Sequence, residues 1–183
     1  LHPWVVGALI GDGSLGGKSC VSFTSADVEI ISRFCSLIPK TTRLSFDSRY
    51  NWRFVDAGNR YNKSSTAKNL VKAAGIYGCV SHAKFIPDAY KFASVEDRIE
   101  LLRGLMDTDG SASGGVASFH SCSKQFAEDV RFIVQSLGGT ATMNVKPDHR
   151  GYRDMFVIHL TIPGIVPFTL TRKIEQLRPR KNA

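Results

Sequence analysis

The chain is short of acid and has no long apolar run. Asp and Glu total 16 against 24 Lys and Arg, a formal net charge of +8 over 183 residues. That excess favours a polyanionic partner without identifying it. No stretch of about 18 apolar residues occurs and no basic leader runs into an apolar segment, so neither a membrane span nor a signal peptide is expected. The four cysteines, Cys20, Cys35, Cys79 and Cys122, lack the paired spacings of a zinc site or a disulfide-stapled secreted domain. They read as free thiols from a reducing, intracellular compartment, cytoplasm or nucleoid. His82, His120, His149 and His159 share no ligand spacing, which assigns them to surface or packing roles. No flexible or low-complexity linker divides the chain, and its length suits one domain or two tightly fused halves that share a core. It opens inside a helix-like stretch, Leu1-His2-Pro3-Trp4, and stops at a basic tail, so a piece of something longer is expected.

What the chain does have is an internal repeat. Residues 5–13 read VVGALIGDG and residues 102–110 read LRGLMDTDG, which sets Asp12 and Asp109 97 residues apart. Downstream, Ser22-Phe23-Thr24-Ser25 falls against Ser118-Phe119-His120-Ser121, and each is followed by apolar residues at helical spacing. Each copy reads in the same order. A helix ends at the Asp-Gly, over residues 3–12 and 95–108; Pro3 suits an early helical position, and Ser94 with Asp97 resembles a capping box. A Gly and Ser turn leads to a strand near 19–24 or 116–120. A second helix follows at 27–38 or 124–137, its apolar face given by Val28, Ile31, Phe34 and Cys35, or by Phe126, Val130, Ile133, Val134 and Leu137. Two alternating strands come next, 41–47 and 51–57 in one copy, 140–146 and the return YRDMFVIHLTI in the other. Helices near 64–74 and 168–177 complete the copies, and the seam lies near Pro87 to Ser94.

Gly7 and Gly11, and Gly104 and Thr108, are each four apart, so small residues line one face of both first helices. Packed against each other about a two-fold axis, these helices bring Asp12 and Asp109 together at their C-terminal ends. A carboxylate there opposes the helix dipole, and a divalent cation is the natural compensation. Two carboxylates with water and phosphate oxygens suit Mg²⁺, which can activate water and stabilise a leaving oxygen in phosphodiester hydrolysis. The hairpins turn Arg43, Ser45, Asp47, Arg49, Asn51 and Arg53 outward in one copy, and Thr142, Asn144, Lys146, Asp148, Arg150 and Arg153 in the other. Sheet residues of this kind reach base edges and phosphates in a major groove. Lys18 joins them as a candidate nucleic-acid contact. Trp4 and Trp52 read as core or groove packing.

The motif pair resembles the LAGLIDADG, or dodecapeptide, homing endonucleases in their two-motif, single-chain form. The second copy departs at Arg103, Met106 and Thr108, and the first has Ile10 where the pattern has its earlier acid. The resemblance implies an α+β fold of two pseudo-two-fold-related αββαββα halves, residues 1–90 and 91–183, joined by a two-helix interface beneath saddle-shaped antiparallel sheets. It implies a monomer that cuts a long, rare site in double-stranded DNA and leaves 3′ overhangs. Asp12 and Asp109 then hold the metal, with Gly11 and Thr108 beside them. Mg²⁺ is the expected cofactor, with Mn²⁺ substituting and Ca²⁺ supporting binding without efficient cleavage. HAKFIPDAYKF resembles endonuclease domains embedded in inteins and implies an accessory catalytic role for Lys84; Lys173 in LTRKIEQL is the best match for a second such lysine. No Cys or Ser begins the chain and no His-Asn closes it, so the endonuclease part of a larger intein is expected, without self-splicing. The basic tail, Arg178, Arg180 and Lys181, is the expected place where the rest of an intein would join. Two other readings stay open: a decayed relative that binds nucleic acid without cutting, as a DNA-binding regulator or RNA maturase, and a structural repeat protein.

Overall fold

The computed structural model describes residues 1–16, 20–58, 64–148, 151 and 153–177. The first copy runs α1 (Pro3–Asp12), β1 (Gly13–Ser14), β2 (Val21–Thr24), α2 (Val28–Leu37), β3 (Thr42–Ser48), β4 (Asn51–Asp56) and α3 (Ser65–Ala73). A short 3₁₀ turn, Ser81–Ala83, and α4 (Asp88–Lys91) lead to the second copy. That copy runs α5 (Val95–Thr108), β5 (Gly110–Ser113), β6 (Val116–Ser121), α6 (Lys124–Ser136), β7 (Thr140–Lys146), β8 (Met155–Thr161) and α7 (Thr171–Gln176). Both copies are αββαββα, and the fold is α+β.

Each copy forms one antiparallel four-stranded sheet, in the orders β1-β2-β4-β3 and β5-β6-β8-β7. Register puts the apolar side chains on one face: Phe54 pairs with Val21 and Leu44, and Ile158 with Phe119 and Met143. That face packs on α2 or α6, with Phe34 against Phe23 and Phe54, and Phe126 against Phe119. One contiguous core joins both sheets through α1 and α5. Every residue of α1 from Trp4 to Gly11 is buried, so this helix is apolar all round rather than amphipathic. The Ser94 hydroxyl caps α5 by accepting from Asp97 N at 3.1 Å, as its sequence spacing indicates.

Several expectations change. The Gly and Ser segments after Asp12 and Asp109 contain strands rather than only turns: β1 and β5 pair with β2 and β6. Serines and alanines tolerate an edge strand although they carry no apolar alternation to announce it. On α2, Val28 is 77% exposed and Cys35 is exposed, whereas Ile30 and Phe34 are buried. The core-facing stripe is rotated by two positions at its start, because Ile30 enters the core while the first residue of the helix stays in solvent. The seam near Pro87 to Ser94 contains α4, and the returning strand begins only at Met155. Among the described residues, no helix is long and apolar enough to cross a membrane. Among the described residues, which include all four cysteines, no disulfide forms.

Candidate metal site and nucleic-acid interface

The two long helices meet through backbone. A Cβ on Gly7 would lie 2.3 Å from Leu101 O, and one on Gly104 would lie 2.1 Å from Trp4 O. One on Gly11 would lie 2.0 Å from Thr108 Oγ1 and 3.6 Å from the carboxyl carbon of Asp109. Any side chain at Gly7 or Gly104 would drive the helices apart, so the two chain paths converge as closely as backbone allows. The last turns deliver Asp12 and Asp109 to one place.

Both carboxyls are held above their usual range. Asp12 is exposed, yet protein takes the place of part of the water around its carboxyl. That desolvation first, then the charge of Asp109, pushes it up to about 6 against the pull of Lys84 and Lys173. Burial likewise raises Asp109, with Lys84 pulling the other way. Lys84 stands between the two copies: its Nζ donates to Gly11 O at 2.6 Å and lies 3.5 Å from Asp109 Oδ2. Asp12, Ser14, Thr24, Ser81 and Lys84 line an open cleft of roughly 590 Å³.

Lys173 is placed differently. It is 4% exposed, and its Nζ donates to the carbonyls of Met106, Asp107 and Gly110 at 2.8, 2.7 and 2.6 Å. It is a cation on the C-terminal carbonyls of α5, where the helix dipole favours positive charge. Burial lowers its pKa to about 8. Its three protons are spent on backbone, so it supports the helix end beneath Asp109 rather than facing the cleft.

The donor set suits a hard divalent cation. Two carboxylates that repel each other at short range lose that penalty when a cation sits between them, and oxygen ligands fit Mg²⁺. Among the described residues, no cluster of three or more His, Cys, Asp or Glu is available to hold a metal. A cation here therefore needs backbone carbonyl, water or phosphate oxygens to complete its shell.

The sheet faces opposite the core are polar. In the first sheet Arg53 pairs with Ser22 and Ser45 across the strands and forms an ion pair with Asp47 at 2.7 Å. Asn51 Nδ2 donates to the same Asp47 at 3.2 Å. Arg43 is exposed on the same face, and Arg49 occupies the turn at φ 49°. In the second sheet Thr142, Asn144 and Lys146 are exposed, and Arg153 lies exposed before β8; Asp148, half-buried, accompanies them. Lys18, His149, Arg150 and the tail residues Arg178, Arg180 and Lys181 lie outside the described residues.

Three groups escaped the sequence reading. Asp107, 1% exposed, accepts from Trp4 Nε1 at 2.9 Å, Thr169 N at 2.8 Å, Leu170 N at 3.1 Å and the Thr169 hydroxyl. It ties α5 to α1 and to the segment that carries Lys173; its only local signal is its place two residues before the motif's last acid. Trp4, correctly read as packing, gains a polar task through this bond. His120 and His159 share the polar face with Thr142 and Asn144, and His120 Nε2 is 3.1 Å from Ser118 Oγ. Burial, then Lys146 and His159, holds His120 below its usual pKa. Alternation along β6 and β8 was the signal that could have placed both histidines.

Residues 96–164 match the family described as LAGLIDADG-like domain. The chain is 30% identical over 137 residues to the replicative DNA helicase DnaB of Mycobacterium intracellulare, covering 74% of this chain and 19% of that protein. It is 28% identical over 167 residues to the replication factor C small subunit of Thermococcus kodakarensis, covering 90% and 18%. The chain thus spans about a fifth of the length of these relatives. Among solved structures, mesophilic variants of the homing endonuclease I-DmoI share the fold at a TM-score of 0.58 and 14% identity, over 96% of this chain and 92% of that one. I-DmoI in complex with DNA and Mn aligns at 0.59 and 16%, over 87% and 88%.

Proposed function

We propose that this chain is a two-motif LAGLIDADG homing endonuclease, a site-specific enzyme that hydrolyses both strands of a long, rare DNA target, leaves 3′ overhangs and supports homing of an intein or similar element. The observation that carries this reading is the meeting of Asp12 and Asp109 at the ends of two glycine-packed helices, one from each copy of the repeat. The likeness to I-DmoI, solved with DNA and Mn, supports the same direction. One chain that matches a fifth of the length of a replicative DNA helicase and of a replication factor C small subunit supports a segment carried between unrelated hosts.

In this reading the halves are residues 1–90 and 91–183, and the protein acts as a monomer because its duplication already supplies the two-fold relation of a duplex. Asp12 and Asp109, with Gly11 and Thr108 beside them, hold Mg²⁺ or Mn²⁺. The bound metal supplies a polarised phosphate and an activated water. The two carboxylates fix where the scissile phosphates sit. Lys84, its amine directed at Gly11 O and Asp109, contributes fixed positive charge at the cleft and orients groups around the phosphate. Lys173 acts one step behind, by holding the end of α5 and therefore Asp109. Lys18, Arg43, Ser45, Asp47, Arg49, Asn51 and Arg53 track one half-site. Thr142, Asn144, Lys146, Asp148, Arg150 and Arg153 track the other. The Asp47 and Asp148 carboxylates suit cytosine amino groups or the orientation of neighbouring arginines.

The test starts from random duplexes enriched for binding in Ca²⁺, then exposed to Mg²⁺ with product ends sequenced. Double-strand cuts at one long motif with 3′ overhangs are expected. Specific binding without any cut would make the chain a binding relative.

A further inference from the structure

The segments that carry the two lysines are each gripped by the opposite copy of the repeat, at corresponding positions. Ser123 is the N-cap of α6 and Asp27 the N-cap of α2, and they follow the matching Ser-Phe-x-Ser runs. The Ser123 hydroxyl donates to the backbone carbonyl of Lys84 at 2.7 Å while accepting from Phe126 N at 3.3 Å. Two residues further on, Ile86 N donates to Asp129 Oδ2 at 2.9 Å. That carboxylate, 3% exposed, also takes Lys91 Nζ at 2.7 Å and Gln125 Nε2 at 3.0 Å. In the mirror arrangement, Asp27 takes the guanidinium of Arg172 through both oxygens at 3.2 and 2.7 Å, next to Lys173. Glu29 there accepts from Thr171 N and its hydroxyl at 3.1 and 2.9 Å.

Lys84 itself sits in a short extended stretch between a 3₁₀ turn and Pro87, with no ladder of its own to hold it. Its Nζ must nevertheless stay at Gly11 O and Asp109. The backbone behind it is fixed by Ser123 and Asp129, which belong to the second copy, while the motif carbonyl it meets belongs to the first.

We propose that Ser123, backed by Asp129, is a positioning residue for Lys84, so that each copy of the repeat aims the lysine of the other. This rests on the nuclease reading given above. A one-ångström displacement of an aligned group is enough to slow chemistry strongly without disturbing binding.

The test uses the full chain with Ser123→Gly and Ser123→Thr. Glycine is nearly as good an N-cap as serine, so it removes the hydroxyl donor at little cost to α6, and threonine restores both functions. In single-turnover cleavage of the enriched duplex, Ser123→Gly is expected to cut about ten-fold more slowly or worse, with affinity in Ca²⁺ unchanged and Ser123→Thr near wild type. In parallel, acetylation of Lys84 by a water-soluble N-hydroxysuccinimide ester is followed by mass spectrometry. It should be faster in Ser123→Gly and unchanged in Ser123→Thr. Wild-type rates of both cleavage and Lys84 acetylation in Ser123→Gly would overturn the proposal, as would a lowered melting temperature with unaltered Lys84 acetylation. If the wild type cuts no duplex, the nuclease reading fails on that result alone, and the acetylation comparison still decides whether Ser123 positions Lys84.

Discussion

At the level of single residues, the fold holds two carboxyls where ionisation is unfavourable. Asp12 has its pKa raised from 3.8 to about 6 by the fold. The folded chain therefore keeps a proton that the unfolded chain gives up, and stability from this group is intact below pH 3.8 and lost as pH rises toward 6. Asp12→Asn removes that loss. With the exposure of the site discounted, the gain at pH 7 without metal is about 1 kcal/mol, or roughly 2–4 °C in melting temperature. The gain should vanish below about pH 4, where the wild-type group is protonated in both states. Calorimetry of both proteins across pH 3.5–7.5 checks this; equal melting temperatures at neutral pH would mean that the carboxyl is not strained. The two aspartates were legible in sequence because the repeat set them in matching contexts. Asp107 was not, because its partners Trp4, Thr169 and Leu170 lie 103, 62 and 63 residues away and leave no local spacing to read. The burial of Lys173 was equally hidden: a lysine in LTRKIEQL gives no sign that three carbonyls of α5 and one of β5 converge on it.

At the scale of elements, the glycines of α1 and α5 do what helix propensity alone would forbid. Each costs helix stability, and the return is backbone contact that places both motif ends at one point. Gly104→Ala sets a methyl 2.1 Å from Trp4 O, a backbone atom that cannot move without shifting the whole of α1. We expect a loss of about 3 kcal/mol or more, seen as a melting temperature lower by roughly 6–12 °C. A fully stable Gly104→Ala protein would mean the helices are further apart than described. The i, i+4 spacing announced this contact, and period-two alternation announced β3, β7 and most of β4 and β8. The short strands β1 and β5 were illegible because glycine, serine and alanine carry no hydrophobic alternation, and their pairing is imposed by β2 and β6. On α2, Val28 matched the helical period yet lies in the first turn and stays exposed, so Ile30 enters the core instead.

At the scale of the molecule, a duplicated α+β body with a net charge of +8 presents two polar sheet faces and one paired acidic site. Electrostatic contacts to phosphates release counterions, so affinity should fall steeply with salt. Lys146 is exposed on β7. Lys146→Ala should weaken binding and reduce the slope of log affinity against log salt by about 1, measured by fluorescence anisotropy on the enriched duplex in Ca²⁺; an unchanged slope would remove Lys146 from the phosphate contacts. In the proposed function, one carboxylate from each copy of the repeat jointly commands the chemistry. The most direct measurement is single-turnover cleavage of that duplex in Mg²⁺ by wild type, Asp12→Asn and Asp109→Asn, each at saturating protein, with both strands resolved. Wild type is expected to cut both strands, while either substitution abolishes double-strand cleavage and leaves binding in Ca²⁺ largely intact. Double-strand cutting by either variant at the wild-type rate would contradict this joint role.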